Sequence, residues 1–198
     1  MLALITLALI GSLHDECTAR FPMRVPRSAR TYWNTFDPIF LRVAQSRNLP
    51  PALLKSIAWC ETRLDPCAIS ATGAKGLMQF MGGTFSDVAS AAGVSNPFDP
   101  EDAIEAAGVY VAALWNYWQG HIESVVASYN AGPGAVARAR KRGRVVPAIA
   151  ETEGYVACVV STFNWFERGA ATTQPPSERS WAERTVEWIS SVAGNTSP

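Results

Sequence analysis

Glu61 is the residue whose type and position best suit acid–base chemistry. Leu54, Ile57 and Glu61 share one face of a predicted helix, because residues three and four apart are neighbours on an α-helix. The apolar neighbours predict a buried face, and a carboxylate that loses water there favours its neutral acid form. Such an acid can protonate a leaving-group oxygen near neutral pH. The alternative is a carboxylate that pairs with Arg63 or Lys55, or that extends from the helix end.

A second carboxylate for the same chemistry is hard to find. Glycosidases pair two carboxylates that lie about 5–10 Å apart. Asp65 follows Glu61 by four residues, but it precedes Pro66, where a turn residue that binds its own backbone is expected. Asp99 is explained by helix capping. A single acid implies either a reaction in which the substrate assists or no reaction.

Helical spacing and capping signals run through most of the chain and predict a mainly α fold. Asp37-Pro38 and Asp99-Pro100 each combine a capping residue with a proline at the first helical position. Residues 68–83 are predicted to be a loop, and residues 129–134 a turn. The first predicted helix begins at residue 37. The other predicted helices span residues 50–66, 84–92, 99–120, 121–128, 135–142, 151–166 and 180–192.

The composition excludes several classes of protein. Lys+Arg and Asp+Glu are both 17, and this balance argues against a nucleic-acid binder, which normally carries a basic excess. His14 and His121 are the two histidines, and no cysteines have Cys-x-x-Cys spacing, so we expect no metal site. The four cysteines permit two disulfides in any of three pairings; buried free thiols are the alternative.

The ends of the chain differ from its middle. Residues 2–10 form an apolar run that is too short to span a bilayer but suits a signal peptide, which we predict over residues 1–16. A frayed apolar terminus or a misplaced start codon would also explain the run. We predict an exposed lead-in at residues 17–33, the main domain at 34–169, and a linker with a C-terminal amphipathic helix at 170–198.

Four segments, in order, resemble the lytic transglycosylase domain of the soluble (SLT) type, which is related to goose-type lysozyme. The family's helix ending in Glu-Ser appears as Glu61-Thr62, where the hydroxyl is kept and a methyl group is added. A proline typical of the family is replaced by Gly82. The family's Gly-Leu-Met-Gln, Tyr-Asn-Ala-Gly and Glu-Thr-x-x-Tyr-Val motifs match residues 76–79, 129–132 and 151–156. The resemblance covers roughly residues 36–166.

The resemblance implies a lysozyme-like single domain with a glycan-binding groove and the activity of a peptidoglycan lytic transglycosylase. Glu61 would protonate the β-1,4 glycosidic oxygen between N-acetylmuramic acid (MurNAc) and N-acetylglucosamine (GlcNAc). The muramoyl 6-hydroxyl then attacks within the same sugar and leaves a 1,6-anhydroMurNAc end. No water is consumed, and the intramolecular attack benefits from proximity. One carboxylate therefore suffices.

The resemblance also implies substrate-binding residues, namely Met78, Gln79, Tyr129, Asn130 and Tyr155. The amides of Gln79 and Asn130 would fix Glu61 or bind acetamido groups. The tyrosines would hydrogen-bond the acid or the sugar, and Met78 would pack on the sugar. Taken singly, Met78 is a typical core filler, Asn130 a typical left-handed turn residue and Tyr155 a core aromatic. A disulfide among Cys60, Cys67 and Cys158 is implied because their segments are neighbours in the family.

The implied partner is peptidoglycan, with no cofactor, no nucleic acid and no stable membrane span. The implied location is the periplasm or cell envelope, where the enzyme would open the wall for a type IV secretion or conjugation channel. A phage virion is the other setting. Two rival functions remain: a hydrolytic muramidase on the same fold, and a catalytically dead glycan-binding component of a secretion apparatus or virion.

Overall fold

The computed structural model of the protein describes residues 2–21 and 34–168, with side chains from residue 11 onward. The predicted C-terminal helix and most of the predicted lead-in lie outside these residues. The helices are α1 (Leu2–Arg20), α2 (Asp37–Ser46), α3 (Leu53–Thr62), α4 (Gly82–Ala92), α5 (Pro100–Tyr117), α6 (Ile122–Ala131), α7 (Pro133–Arg140) and α8 (Ala150–Glu167).

The mainly α prediction is confirmed. Across the described residues no strand forms, and antiparallel pairing is limited to the bridges of Lys75 with Ile69 and with Phe80. None of the helices in this part of the chain is long and apolar enough to cross a membrane. The chain divides into two compact units, Met1–Tyr110 and Val111–Pro198, and the division falls inside α5.

In the first unit, α2 packs against α3, which is buried over residues 53–59. Lys55 lies within that buried stretch. Burial lowers the pKa of Lys55, and the hydrogen bond and charge of Asp37, 2.6 Å from its Nζ, oppose this shift. A buried ammonium group needs a counter-charge. This explains why the capping role predicted for Asp37 is wrong: Asp37 is the first residue of α2, makes no cap hydrogen bond and pairs with Lys55 instead.

The same capping signal is confirmed at the start of α5. Asp99 Oδ1 accepts hydrogen bonds from the backbone N–H groups of Glu101 at 2.9 Å and Asp102 at 3.3 Å. Pro100 occupies the first helical position, where its missing N–H costs nothing. Buried Ala103, Ile104, Ala106 and Ala107 then form the core-facing side of this part of α5.

Helix α1 is fastened to the first unit at its C-terminal end. Cys17 forms a disulfide with Cys67 and packs in a small cluster with Phe98, Leu13 and Phe21. Residues 17–20, which we predicted to be part of an exposed lead-in, therefore belong to α1, and Cys17 is buried. The helix continues through residue 16, the predicted end of the signal peptide, and that boundary stays a prediction.

The disulfides differ in part from the expectation. Cys67 pairs with Cys17, a residue that the family resemblance did not include. Cys60 and Cys158 are also disulfide-bonded, and none of the four cysteines is free. The pairing depends on Cα positions within about 4–7 Å of each other, which the sequence separation of 50 residues does not reveal.

In the second unit, α6 packs against both α7 and α8. The predicted turn at residues 129–134 is shorter than expected, because α6 continues through Ala131 and α7 begins at Pro133. Gly132, with φ of +81°, is the single residue between them. Tyr129 and Asn130 therefore lie in the last turn of a helix, and Asn130 is not the left-handed turn residue that we considered as an alternative.

Candidate active site

Glu61 is the penultimate residue of α3, two residues beyond the buried stretch that ends at Trp59, and is half-buried itself. Leu54 and Ile57, the neighbours on its face, are completely buried, as the helical spacing predicts. One turn or more away from Glu61 on the same helix, Lys55 Nζ lies 2.6 Å from Asp37 Oδ1. Arg63 donates to the Trp59 carbonyl at 2.7 Å and lies over the Trp59 ring. Its partial burial at the end of α3 places Glu61 at the border between core and surface.

A strained turn follows the acid. Arg63 and Leu64 have φ of +58° and +69°, and both are non-glycine residues in the left-handed region. Asp65 Oδ1 accepts a hydrogen bond from the Cys67 N–H at 3.0 Å, so its carboxylate serves the turn. The turn interpretation of Asp65 is thus confirmed. Non-glycine residues in this region of backbone space concentrate at functional sites, and here they follow the candidate acid directly.

Thr62 joins the end of α3 to the following loop. Its hydroxyl donates to the Leu77 carbonyl at 3.0 Å, lies 3.3 Å from the Ala58 carbonyl, and accepts from the Asp65 N–H at 3.1 Å. The residue next to the acid therefore holds both the strained turn and the loop that carries Gln79. Thr62, which replaces the family's Ser, keeps the hydroxyl that makes these contacts.

Replacing Thr62 by valine should remove the hydrogen bonds that join the end of α3 to the following turn and to the loop of Gln79. The variant keeps the shape but leaves the Asp65 N–H and the Leu77 carbonyl without this partner, at a cost of about 1–3 kcal/mol in unfolding free energy. Thr62→Ser keeps the hydroxyl and should remain within about 1 kcal/mol of the parent. Chemical denaturation of both variants measures the difference. Equal stability of Thr62→Val and Thr62→Ser would contradict the role given to the hydroxyl.

Gln79 stabilises the loop that carries it. Its Nε2 donates to the carbonyls of Gly76 at 2.9 Å and Ala68 at 3.3 Å. Gln79 itself has φ of +50°, a further strained non-glycine residue in the candidate site. With both amide hydrogens directed at backbone carbonyls, the Oε1 atom is the end that can accept a hydrogen bond from a ligand. The predicted amide thus acts first as a loop support.

Gly76 allows the loop to approach the segment before α5. It has φ of +71°, and a Cβ at this position would overlap the Pro97 carbonyl oxygen. Its N–H also donates to the Ala68 carbonyl at 2.8 Å, the acceptor that Gln79 shares. A side chain at Gly76 would therefore displace the backbone that Gln79 binds.

Gly76→Ala should destabilise the protein by about 2–4 kcal/mol, the sum of the left-handed backbone penalty and the overlap. Gly73→Ala is the matched control, because Gly73 has φ of +85° in the same loop but open space around its Cβ. It should cost only the backbone penalty of about 1–2 kcal/mol. Thermal unfolding of the two variants provides the comparison, and equal losses would show that the Pro97 contact is unimportant.

Met78 is placed differently from the prediction. Its exposed fraction is 0%, so it offers no surface to a sugar, and the structure favours the alternative of a core filler. The neighbouring Leu77 is buried to the same extent. The Gly-Leu-Met-Gln motif therefore anchors its loop through the two central side chains and exposes part of Gln79.

The other predicted residues lie in the second unit. Tyr129 and Asn130, on the last turn of α6, are half-buried, whereas Tyr155 on α8 is 9% exposed, close to the core aromatic considered as an alternative. Packing of α6 against α8 brings the two motifs of this unit together. Thr152 Oγ1 donates to Asn130 Oδ1 at 2.7 Å, so one motif directly orients a side chain of the other.

The roles of Thr62 and Thr152 in the candidate site were not predicted from the sequence. Both belong to the motifs that carry the resemblance, yet neither was assigned a function. The signal was present at Thr152, because Thr152, Val156 and Val159 share one face of α8 and all three are buried. A polar residue on a buried helical face needs a partner, the same argument that identified Glu61.

The sequence of this chain is similar to those of known proteins. A model of the transglycosylase SLT domain matches residues 38–149. The soluble lytic murein transglycosylase of Escherichia coli is 30% identical over an alignment of 166 residues, and the match covers 76% of this chain and 24% of that protein. The peptidoglycan transglycosylase gp16 of Escherichia phage T7 is 33% identical over an alignment of 106 residues, and the match covers 50% of this chain and 8% of that protein.

A solved structure agrees with these relatives. The inactive Glu-to-Gln mutant of lytic transglycosylase Slt from Pseudomonas aeruginosa superposes with a TM-score of 0.63 at 26% identity. The match covers 80% of this chain and 26% of that one, so the chain spans about a quarter of the length of these bacterial proteins. The predicted lysozyme-like fold is confirmed, and the chain belongs to the transglycosylase SLT domain family.

Proposed function

We propose that the protein is a peptidoglycan lytic transglycosylase that uses Glu61 as its single acid and base. The observation that carries the proposal is the different placement of the two carboxylates at the end of α3. The helix and the turn after it contain two carboxylates, Glu61 and Asp65. Asp65 accepts the Cys67 N–H and serves the turn, whereas Glu61 stands at the edge of the core. The solved relative described as inactive carries a Glu-to-Gln change, which supports an essential glutamate.

The proposed reaction balances with one carboxyl group. Glu61 gives its proton to the glycosidic oxygen as the bond from that oxygen to MurNAc C1 breaks, and GlcNAc leaves with a free 4-hydroxyl. The acetamido group of the same MurNAc stabilises the positive charge at C1. The 6-hydroxyl then bonds to C1 and returns its proton to Glu61. The acid is regenerated, no water enters, and the product ends in 1,6-anhydroMurNAc.

The amides offer complementary hydrogen-bonding groups. Gln79 offers its Oε1 as an acceptor, because its nitrogen serves the loop, and Asn130 offers its Nδ2 as a donor, because its oxygen serves Thr152. An acetamido group carries one donor and one acceptor, so Gln79 suits the N–H of an acetamido group and Asn130 suits the carbonyl oxygen of an acetamido group, each considered within its own unit. Tyr129 and Tyr155 remain proposed contacts of the acid or the sugar.

The test is mass spectrometry of muropeptides released from purified peptidoglycan. Products one water lighter than reducing-end muropeptides are expected. Reducing-end products would establish a hydrolytic muramidase instead and direct the search for a second acid to Asp65. A folded protein that binds peptidoglycan but releases nothing would establish a glycan-binding role.

We further propose that the protein is exported to the periplasm or cell envelope. Four oxidised cysteines suit an oxidising compartment, and the apolar run at residues 2–10 suits a signal peptide. The phage relative supports a virion as the alternative setting, and a secretion or conjugation channel is the setting proposed for a periplasmic enzyme. The N-terminal sequence of the protein recovered from the periplasm tests cleavage after residue 16.

A further inference from the structure

Thr152 and Asn130 form a directed hydrogen bond between α8 and α6. The Thr152 hydroxyl lies 2.7 Å from Asn130 Oδ1, and Thr152 is 1% exposed whereas Asn130 is half-buried. The hydroxyl thus reaches from the core to a side chain at the edge of the second unit. The contact joins residues that are 22 positions apart, so it depends on the packing of the two helices.

In its observed direction, with the hydroxyl as donor and Oδ1 as acceptor, this bond leaves the NH₂ end of the amide for other partners. An asparagine amide is planar, with the oxygen and the NH₂ group on opposite sides, and the two ends exchange places by a half rotation about χ2. A hydroxyl hydrogen held at Oδ1 directs Nδ2 away from Thr152. Within residues 2–21 and 34–168, Nδ2 makes no hydrogen bond. The Asn130 side chain is therefore set as a donor.

Removing the hydroxyl would release this orientation. With valine at position 152, both amide orientations become accessible, and the one that directs Oδ1 outward presents an acceptor where a donor is needed. A substrate carbonyl would then meet a lone pair in part of the population. The loss falls mainly on the bound complex and its transition state, because the backbone hydrogen bonds of both helices remain intact.

We propose that Thr152 is a positioning residue that fixes the Asn130 amide as a hydrogen-bond donor to a carbonyl oxygen of the glycan's N-acetyl groups. This inference rests on the proposed function, since it names the substrate group that Asn130 binds. It assigns Thr152 no contact with the substrate. Its contribution is made through Asn130 alone, and this dependence can be tested.

The kinetic test compares Thr152→Val with Thr152→Ser. Thr152→Val should lower kcat/KM for release of anhydro-muropeptides about five- to tenfold, the effect of one net hydrogen bond, and Thr152→Ser should restore it to within about twofold. In an Asn130→Ala background, Thr152→Val should cause no further loss. Loss of activity in Thr152→Ser equal to that in Thr152→Val, or a full additional loss in the Asn130→Ala background, would overturn the proposal.

A matched control lies on the same helix. Thr162 is also completely buried, and its hydroxyl donates to the Cys158 carbonyl one turn earlier at 2.8 Å. Thr162→Val removes a buried hydroxyl from α8 without touching Asn130 and should leave kcat/KM within about twofold of the parent. If Thr162→Val lowers kcat/KM as much as Thr152→Val does, the effect belongs to helix stability and the positioning role is rejected.

A spectroscopic test does not depend on catalysis. The side-chain NH₂ signals of Asn130 can be assigned by their loss in Asn130→Asp and followed by ¹H–¹⁵N NMR in the free protein. Thr152→Val should shift or broaden this pair, and Thr152→Ser should leave it in place. Unchanged signals in Thr152→Val would disprove the orienting role. A shift in a protein that releases no anhydro-muropeptides would retain the orienting role while the proposed function fails.

Discussion

Glu61→Gln should abolish the release of anhydro-muropeptides while the protein stays folded. General acid catalysis contributes about 10²–10⁴-fold, and Glu61 is proposed to act both as acid and as base, so we expect a loss of at least about a thousand-fold in kcat. Glutamine has the shape of glutamic acid but cannot deliver a proton. The measurement is the rate of product release from purified peptidoglycan, with binding to the same peptidoglycan as a second readout.

The matched control for Glu61→Gln is Asp65→Asn. Asparagine retains an oxygen that can accept the Cys67 N–H, so the turn should persist and activity should remain within a few-fold of the parent. Loss of activity in Asp65→Asn comparable to that in Glu61→Gln, with both proteins folded, would identify Asp65 as a second catalytic carboxylate. The hydrolytic muramidase mechanism would then replace the proposed one. Retained binding by Glu61→Gln separates lost chemistry from lost substrate affinity.

Loss of the Cys17–Cys67 disulfide should produce the largest change in stability. The bond joins residues that are 50 positions apart, and closing a loop of this length removes unfolded-state entropy equivalent to about 4 kcal/mol at 25 °C. The loop contains α2 and α3, including Glu61. For a chain of this size we expect Cys17→Ala to lower the Tm by roughly 8–16 °C.

The control for this prediction is a mutant cycle. If the stabilisation comes from the bond itself, Cys17→Ala, Cys67→Ala and the double variant should lose similar amounts of unfolding free energy. The measurement is denaturant unfolding without reductant, so that Cys60 and Cys158 stay oxidised. A Cys17→Ala variant within about 1 kcal/mol of the parent would show that the packing of Leu13 on α1 with Phe98 holds the helix without the bond.

The two Asp-Pro signals illustrate the limit of local patterns. Asp99 caps α5 as its sequence predicts, but Asp37, with the same following proline, does not cap α2. The difference is made by Lys55, a residue 18 positions further along the chain whose buried ammonium group takes the Asp37 carboxylate. A local signal therefore succeeds where no distant group competes for the same side chain.

Met78 and Asn130 show the same limit in the candidate site. Their motifs identified the correct segments, but Met78 is part of the core and Asn130 lies in a helix that continues beyond the expected end. The Gly-Pro-Gly sequence at residues 132–134 predicts a broad turn, whereas packing of α6 against α7 and α8 leaves a single linking residue. Motifs locate a site along the chain, while packing decides which of its side chains reach the surface.

The sequence by itself determined the helical class, the identity of the candidate acid and the motifs of the site, because these depend on residues within a few helical turns. The tertiary structure alone decided the Cys17–Cys67 bond, the roles of Thr62 and Thr152, and the direction of the Gln79 and Asn130 amides. The interactions of Cys17, Thr62 and Thr152 join residues 15 to 50 positions apart in the chain. Hydrogen bonds and disulfides require ångström-scale proximity, which periodicity and composition do not encode.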